Sequence, residues 1–325
     1  MKLKNIALTA KSLLEAKLYK KRTPLIVSWA IVSRCNFQCK YCNAWNLRGE
    51  ELETSSVLRI IEELSRMGTR KIQFTGGEPL LREDIGQIVD FCRKKGIDTS
   101  INSNGSLVAK RINVLGNLDL LCLSLDGSKP VQDYLRGEGA YDSVIQAAHI
   151  ARGKNIRLRF MTVLSNTNLS DIEFILQKAK EFDASVLFQP ATTHILMDKA
   201  DNHFAAGQEK YRGAVLDLLA KKKNTKYIAN SSAGLKHLYN WPAKKRMRCF
   251  KGLVACRIES NGDVYVCPRV KDGISPVNCA QKGFKEAFNN LPLIFCDSCW
   301  CAANVEINCL LSLKLSTMLN AIRFA

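Results

Sequence analysis

Ser33-Arg34-Cys35-Asn36-Phe37-Gln38-Cys39-Lys40-Tyr41-Cys42 sets three thiols on one short loop, Cys-x3-Cys-x2-Cys, with nothing else suited to fill a fourth ligand position. A four-iron cluster normally takes four cysteine ligands, and metal centres that do chemistry keep a coordination position free for substrate. Three thiolates therefore imply a cluster with one iron left open to a small ligand. A structural zinc knot uses the same thiols, but zinc sites favour two CxxC-like pairs, and this loop offers one x3 and one x2 gap.

Outward from the loop, strand-like and helix-like segments alternate. Leu25 to Val32 leads into the loop and Thr54 to Met67 follows it. Lys71 to Thr75 precedes Arg82 to Lys95, and Ile97 to Ile101 precedes Leu107 to Leu115. The series continues with Leu118 to Leu125 and Tyr141 to Gly153, then Ile156 to Leu164 and Leu169 to Phe182, and ends at Ser185 to Gln189. Such alternation predicts parallel strands joined by right-handed crossovers, and six units suit a partial (β/α)6 TIM-like barrel. Site residues then belong at the C-terminal strand ends. The cysteine loop, Gly76-Gly77-Glu78-Pro79, Asn102-Ser103-Asn104-Gly105 and Ser124-Leu125-Asp126-Gly127 all fall there. Taken singly these are turn formers. Two glycines at a strand end let backbone amides approach a ligand, and Pro79 fixes the exit of the turn. Thr54 with Ser55 or Ser56 is expected to cap the first helix, and Asn168 or Ser170 with Glu173 the fifth.

Together the Cys35, Cys39, Cys42 loop, with Tyr41 before its last cysteine, and the GGEP turn one β/α unit later resemble the radical S-adenosylmethionine superfamily. The resemblance implies a [4Fe–4S] cluster on the three cysteines, with the amine and carboxylate of S-adenosylmethionine on the open iron. An electron from the cluster, delivered by an external flavodoxin- or ferredoxin-like donor, then gives a 5′-deoxyadenosyl radical that abstracts hydrogen from substrate. It also implies that Gly76, Gly77 and Glu78 grip the methionine end, and that Ser124 and Asp126 contact ribose and methionine, with Asn104 nearby.

Eight cysteines crowd the last quarter: Cys249, Cys256, Cys267, Cys279, Cys296, Cys299, Cys301 and Cys309. Asn261-Gly262 is a strong hairpin turn that presents Cys267 on its second strand. The run from Cys249 through Gly262 to Cys267, followed by Cys296-x2-Cys299, resembles the SPASM or twitch extension of radical S-adenosylmethionine enzymes, which carries auxiliary clusters. The chain departs from that pattern at Val305, and its tail from Leu310 lacks the final cysteine. The expected ligands of at least one auxiliary [4Fe–4S] cluster are Cys249, Cys267, Cys296 and Cys299, with Cys256, Cys301 and Cys309 as alternatives. A zinc ribbon is the competing reading, because thiolate fours suit either metal. Cys92 and Cys122 sit in apolar patterns and read as core.

The chain thus divides into a basic amphipathic segment (1–23), the barrel (24–230), the auxiliary domain (241–309) and an apolar C-terminal helix (310–325). At 325 residues and 46% hydrophobic it can bury a barrel core plus a small appended domain. No apolar run approaches the ~20 residues of a membrane span, and no signal peptide is visible, so the expected location is cytoplasmic, with peripheral membrane contact through the N-terminal segment or the tail as a lesser alternative. The formal charge of +18 favours an anionic partner. His194, just past the sixth strand, is a guess for substrate contact. Enzymes with such extensions mostly modify peptides or protein side chains, less often small metabolites, nucleotides or lipid-linked substrates. The non-enzyme rival is a cluster- or zinc-binding protein.

Overall fold

The computed structural model describes residues 13, 15, 16, 18–195, 198, 200–268, 273–294 and 296–323. Strand β1 (Ile26–Val32) begins a β/α series. It continues as α1 (Thr54–Arg66), β2 (Lys71–Gly76), α2 (Ile85–Lys94), β3 (Asp98–Ser103), α3 (Val108–Arg111) and β4 (Leu120–Ser124). Helices α4 (Lys129–Arg136) and α5 (Ala140–Gly153) lead to β5 (Leu158–Leu164), α6 (Ile172–Glu181) and β6 (Ser185–Pro190). After α7 (Gln208–Lys221) and α8 (Ser232–Leu238), the chain forms β7 (Ala255–Ile258), β8 (Asp263–Tyr265) and β9 (Val277–Asn278), then α9 (Cys279–Lys282), α10 (Phe284–Asn289), α11 (Ala302–Leu311) and α12 (Leu315–Arg323).

All strands lie in one sheet, in the order β6-β5-β4-β3-β2-β1-β7-β8-β9. Strands β1 to β6 pair in parallel as expected, and β7 adds to the free edge of β1, also in parallel. Strand pairing therefore runs from the barrel into the cysteine-rich region without a break. The hairpin at Asn261-Gly262 forms, with Gly262 at φ +94°, but Cys267 lies two residues beyond β8 and not on it.

Helix α1 buries Val57, Ile60, Ile61 and Leu64, a helical stripe, against the outer face of the sheet. Each such side chain contributes about 1.5–3 kcal/mol relative to exposure. Buried parallel strands usually read as continuous apolar runs. Here Ile72 and Phe74 are fully buried while Lys71, Gln73 and Thr75 retain exposure, and β5 alternates in the same way. That alternation leaves the barrel lumen polar.

Five local expectations change. Neither Thr54 nor its serine neighbours cap α1; Thr54 Oγ1 instead donates to Asp84 Oδ2 at 2.6 Å. Asn168 does not cap α6, because its Oδ1 accepts from Ser165 N and its Nδ2 donates to the carbonyls of Asp126 and Val163. The third helix is a single turn followed by a 3-10 turn, and α4 stands where no helix was expected. The C-terminal stretch is two helices, α11 ending at Leu311 before α12 starts at Leu315. Most of the basic segment 1–23 lies outside the described residues.

Candidate active site at the C-terminal strand ends

The cysteine loop leaves β1 and is fixed by its neighbours' strand ends. Gly77 N donates to Val32 O at 3.3 Å and Glu78 N to Arg34 O at 3.0 Å. A Cβ on Gly77 would stand 1.9 Å from Arg34 O, and one on Gly76, whose φ is +125°, 2.1 Å from Val32 O. The two glycines therefore let the GGEP turn lie against the cysteine loop. Sequence alone assigned that closeness to a ligand, but the amides of Gly77 and Glu78 are engaged by the loop itself. Pro79 opens a 3-10 turn, Pro79–Leu81.

Glu78 is buried and ties β2 to β3. Its Oε1 accepts from Leu80 N and Ser103 Oγ, and its Oε2 from Asn104 N at 2.7 Å. Burial outweighs those three bonds and raises its pKa to about 7. Asn104 in turn donates to Asn36 Oδ1 at 2.9 Å, clamping the cysteine loop from the β3 side.

Asp126, expected at the mouth, has no solvent exposure. Its Oδ2 accepts from Tyr41 OH at 2.5 Å and from Arg136 Nε at 2.7 Å, and its Oδ1 from Val163 N at 2.8 Å. It is a buried counter-ion that locks the cysteine loop to β4, α4 and β5. Ser124 is half-buried at the same strand end, and its hydroxyl has no hydrogen-bond partner among the described residues. Arg136 escaped the sequence reading. Its NH1 lies 3.9 Å from Cys39 Sγ and its guanidinium carbon 5.4 Å from the Tyr41 ring centre. Burial alone would depress it, but Asp126 and Tyr41 hold the guanidinium protonated. The signal was faint: an arginine ending a polar stretch just before Gly137.

Cys35, Cys39 and Cys42 are all part-buried. Burial pushes each thiol up, Cys35 to about 11, and neighbouring cysteines push Cys35 and Cys39 further. Buried thiols that raise one another need a shared positive centre to become thiolates, which is what an iron–sulfur core supplies. The donor set fits the cluster that the loop implies. Among the described residues no three His, Cys, Asp or Glu side chains converge as ligands of a single ion. One zinc ion would need its sulfurs only ~2.3 Å from the metal.

In the C-terminal region Cys296 is raised by burial and then by Cys249 and Cys267. Cys299 rises to about 12 through burial and then Cys301, Cys267 and Cys249. Five cysteines thus share one neighbourhood, and Asn304 Nδ2 approaches Cys267 Sγ at 3.9 Å. Cys256 and Cys309 do not join them: Cys256 is buried within β7, and Cys309 is buried on α11 facing Glu306 and Lys314. Both belong to the buried core cluster. Cys279 is likewise buried, beside Cys256. Cys92 and Cys122 are both buried as expected, and Cys122 also borders a cavity in the lumen. His194 is exposed on a loop and faces Asp201 at 3.4 Å.

Residues 29–179 match the model of the Radical SAM superfamily. That span, from β1 into α6, is a radical SAM domain. It is 27% identical over 286 residues to the mycofactocin maturase MftC of Mycobacterium tuberculosis, covering 83% of this chain and 71% of that one. It is also 31% identical over 170 residues to the Fe-coproporphyrin III synthase of Methanosarcina barkeri, covering 50% of this chain but only 42% of that relative. Streptococcus suis SuiB bound to S-adenosylmethionine shares the fold, with a TM-score of 0.72 over 87% of this chain and 70% of that one at 17% identity. The radical SAM domain carries with it the superfamily's [4Fe–4S] cluster and S-adenosylmethionine. No described helix is long and apolar enough to cross a membrane.

Proposed function

We propose that Cys35, Cys39 and Cys42 hold the [4Fe–4S] cluster, and that the substrate is a peptide or protein side chain bound at the barrel mouth. The observation that carries the site assignment is the three-thiol loop hydrogen-bonded to the Gly76-Gly77-Glu78 turn and backed by Arg136 at Cys39. When bound, the cluster supplies the electron that cleaves S-adenosylmethionine to the 5′-deoxyadenosyl radical, which takes hydrogen from the substrate.

The chain's own residues hold that site. Arg136 places positive charge against one thiolate and balances the buried Asp126. Glu78 and Asn104 keep β2, β3 and the cysteine loop in register. A cavity of about 270 Å³ lined by Ser33, Gly76, Gly77, Arg48, Arg257 and Glu259 opens beside the loop and suits the polar end of the cofactor. Ser124 offers a free hydroxyl for ribose. Cys249, Cys267, Cys296 and Cys299, with Cys301 beside them, would hold an auxiliary cluster that accepts an electron or positions substrate. A flavodoxin- or ferredoxin-like protein would deliver the reducing electron.

The peptide assignment is supported by the likeness to MftC over most of the chain. A small-metabolite substrate is the second reading, favoured by the polar lumen and by the likeness to a coproporphyrin-named synthase over half the chain. The test is anaerobic reconstitution followed by assays for 5′-deoxyadenosine with candidate peptides encoded beside the gene and with carboxylated metabolites. Product formed only with a peptide supports the first reading, and product formed only with a metabolite overturns it.

A further inference from the structure

The lumen has a floor as well as a mouth. Helices α11 and α12 close the N-terminal end of the partial barrel and leave a cavity of about 240 Å³ above them. Its walls carry Lys71 from the start of β2, Ser100 from β3, Cys122 from β4 and Arg159 from β5, and Glu306 rises from α11.

Two of these polar groups carry buried atoms without partners. Lys71 lies beside Arg159, and its pKa is lowered by burial and then by Arg159, with Cys122 and Asp98 of β3 acting the other way. Ser100 Oγ is buried with no hydrogen bond. Glu306 spends Oε1 on Ser231 N at 2.9 Å, while its Oε2 is buried and unpartnered. Arg159 is anchored by Nε to Ser185 Oγ at 2.9 Å, so its guanidinium is fixed at the cavity wall. Buried polar atoms are almost always satisfied. Two unpartnered ones, beside an ammonium and a guanidinium around one cavity, mark a place where something else completes the bonding.

The chemistry of that ligand follows from the donors. At the cavity wall two cations and a hydroxyl face the Glu306 carboxyl, while Asp98, outside the lining, acts on Lys71 from β3, so the wall itself is rich in hydrogen-bond donors. We propose that the floor binds an oxyanion, the carboxylate or phosphate end of the substrate, using Lys71, Arg159 and Ser100. The proposal rests on the reading of the lumen as the substrate's place. At about 3.3 Å per residue, the five steps from Lys71 to Gly76 set the floor roughly 16 Å below the GGEP turn. An extended substrate held by its anionic end could thus present a carbon near the mouth.

The test uses the full-length, anaerobically reconstituted protein and two probes, inorganic phosphate and acetate, titrated by calorimetry. Saturable one-site binding of either is expected, weakened at least about tenfold in Lys71→Met and restored in Lys71→Arg. Glu306→Gln, which keeps the Ser231 bond and removes the competing acid, is expected to bind more tightly above neutral pH. It decides the matter alone should Lys71→Met fail to fold by near-ultraviolet circular dichroism. Preference for phosphate would name a phosphorylated substrate, and binding of acetate a carboxylate. No saturation by either probe, or equal affinity in wild type and variants, overturns the proposal. Substrate-free cleavage of S-adenosylmethionine is unchanged in Lys71→Met on this account, so its absence in wild type would instead count against the cluster assignment.

Discussion

Replacing Arg136 by Met removes the guanidinium that donates to Asp126 at 2.7 Å and leaves that carboxylate with no solvent exposure. Taking one partner from a buried ion pair costs about 3–5 kcal/mol. Tyr41 OH and Val163 N still donate to the same carboxylate, which puts the expected loss at the lower end, about 3 kcal/mol. In a chain of this size each kcal/mol is worth roughly 2 °C, so the thermal midpoint should fall by about 6 °C. The assay is anaerobic thermal unfolding of the apoprotein by far-ultraviolet circular dichroism near neutral pH. Adding Asp126→Asn should return at least about 1 kcal/mol, because a neutral amide needs no counter-charge and the two residues are coupled. A fall below about 2 °C, or a double variant no more stable than Arg136→Met, would refute the claim that this pair locks the loop.

Three further outcomes are expected. Gly77→Ala forces a Cβ to within 1.9 Å of Arg34 O and should abolish iron uptake by the Cys35 loop, whereas Gly116→Ala, which meets open space, should leave iron counts unchanged. Glu78 ionises near pH 7 in the fold but near pH 4.5 when unfolded, so the native state holds the extra proton between them. Stability should therefore fall by on the order of 3 kcal/mol as pH rises from 4.5 to 7 and level off above, and Glu78→Gln should flatten that slope in urea titrations; an unchanged slope would remove the buried-acid argument. Cys299→Ala should lower iron bound per chain by about four while Cys256→Ala and Cys309→Ala leave it intact, and equal losses from all three would put the auxiliary ligands elsewhere.

The barrel was legible because its strands announce themselves. All six expected strands end within two residues of those observed, since Ile72 and Phe74 face the helices while Lys71 and Gln73 face the lumen, a period of two that survives any context. Helix α4 was not legible, because it buries Gln132 and Arg136 beside Leu135, and a helix that buries polar side chains shows no apolar stripe. Asp126 was misplaced for the same reason. A carboxylate at a strand end reads as a ligand until its arginine, ten residues on, is seen to fold back over it. The eight C-terminal cysteines could be counted but not sorted, because spacing says nothing about which way a sulfur points. Burial separates Cys256, Cys279 and Cys309 from the other five, and only the fold supplies burial.

The central claim is that three thiols on one loop hold a cluster that opens S-adenosylmethionine. The most direct test is the yield of 5′-deoxyadenosine from wild type and from the Cys35→Ala, Cys39→Ala, Cys42→Ala triple variant, each anaerobically reconstituted and reduced. The account predicts cleavage by wild type carrying about eight irons, and none by a variant that keeps about four on its auxiliary cysteines. Cleavage that persists in the triple variant, or zinc in place of iron in an inactive wild type, would contradict it.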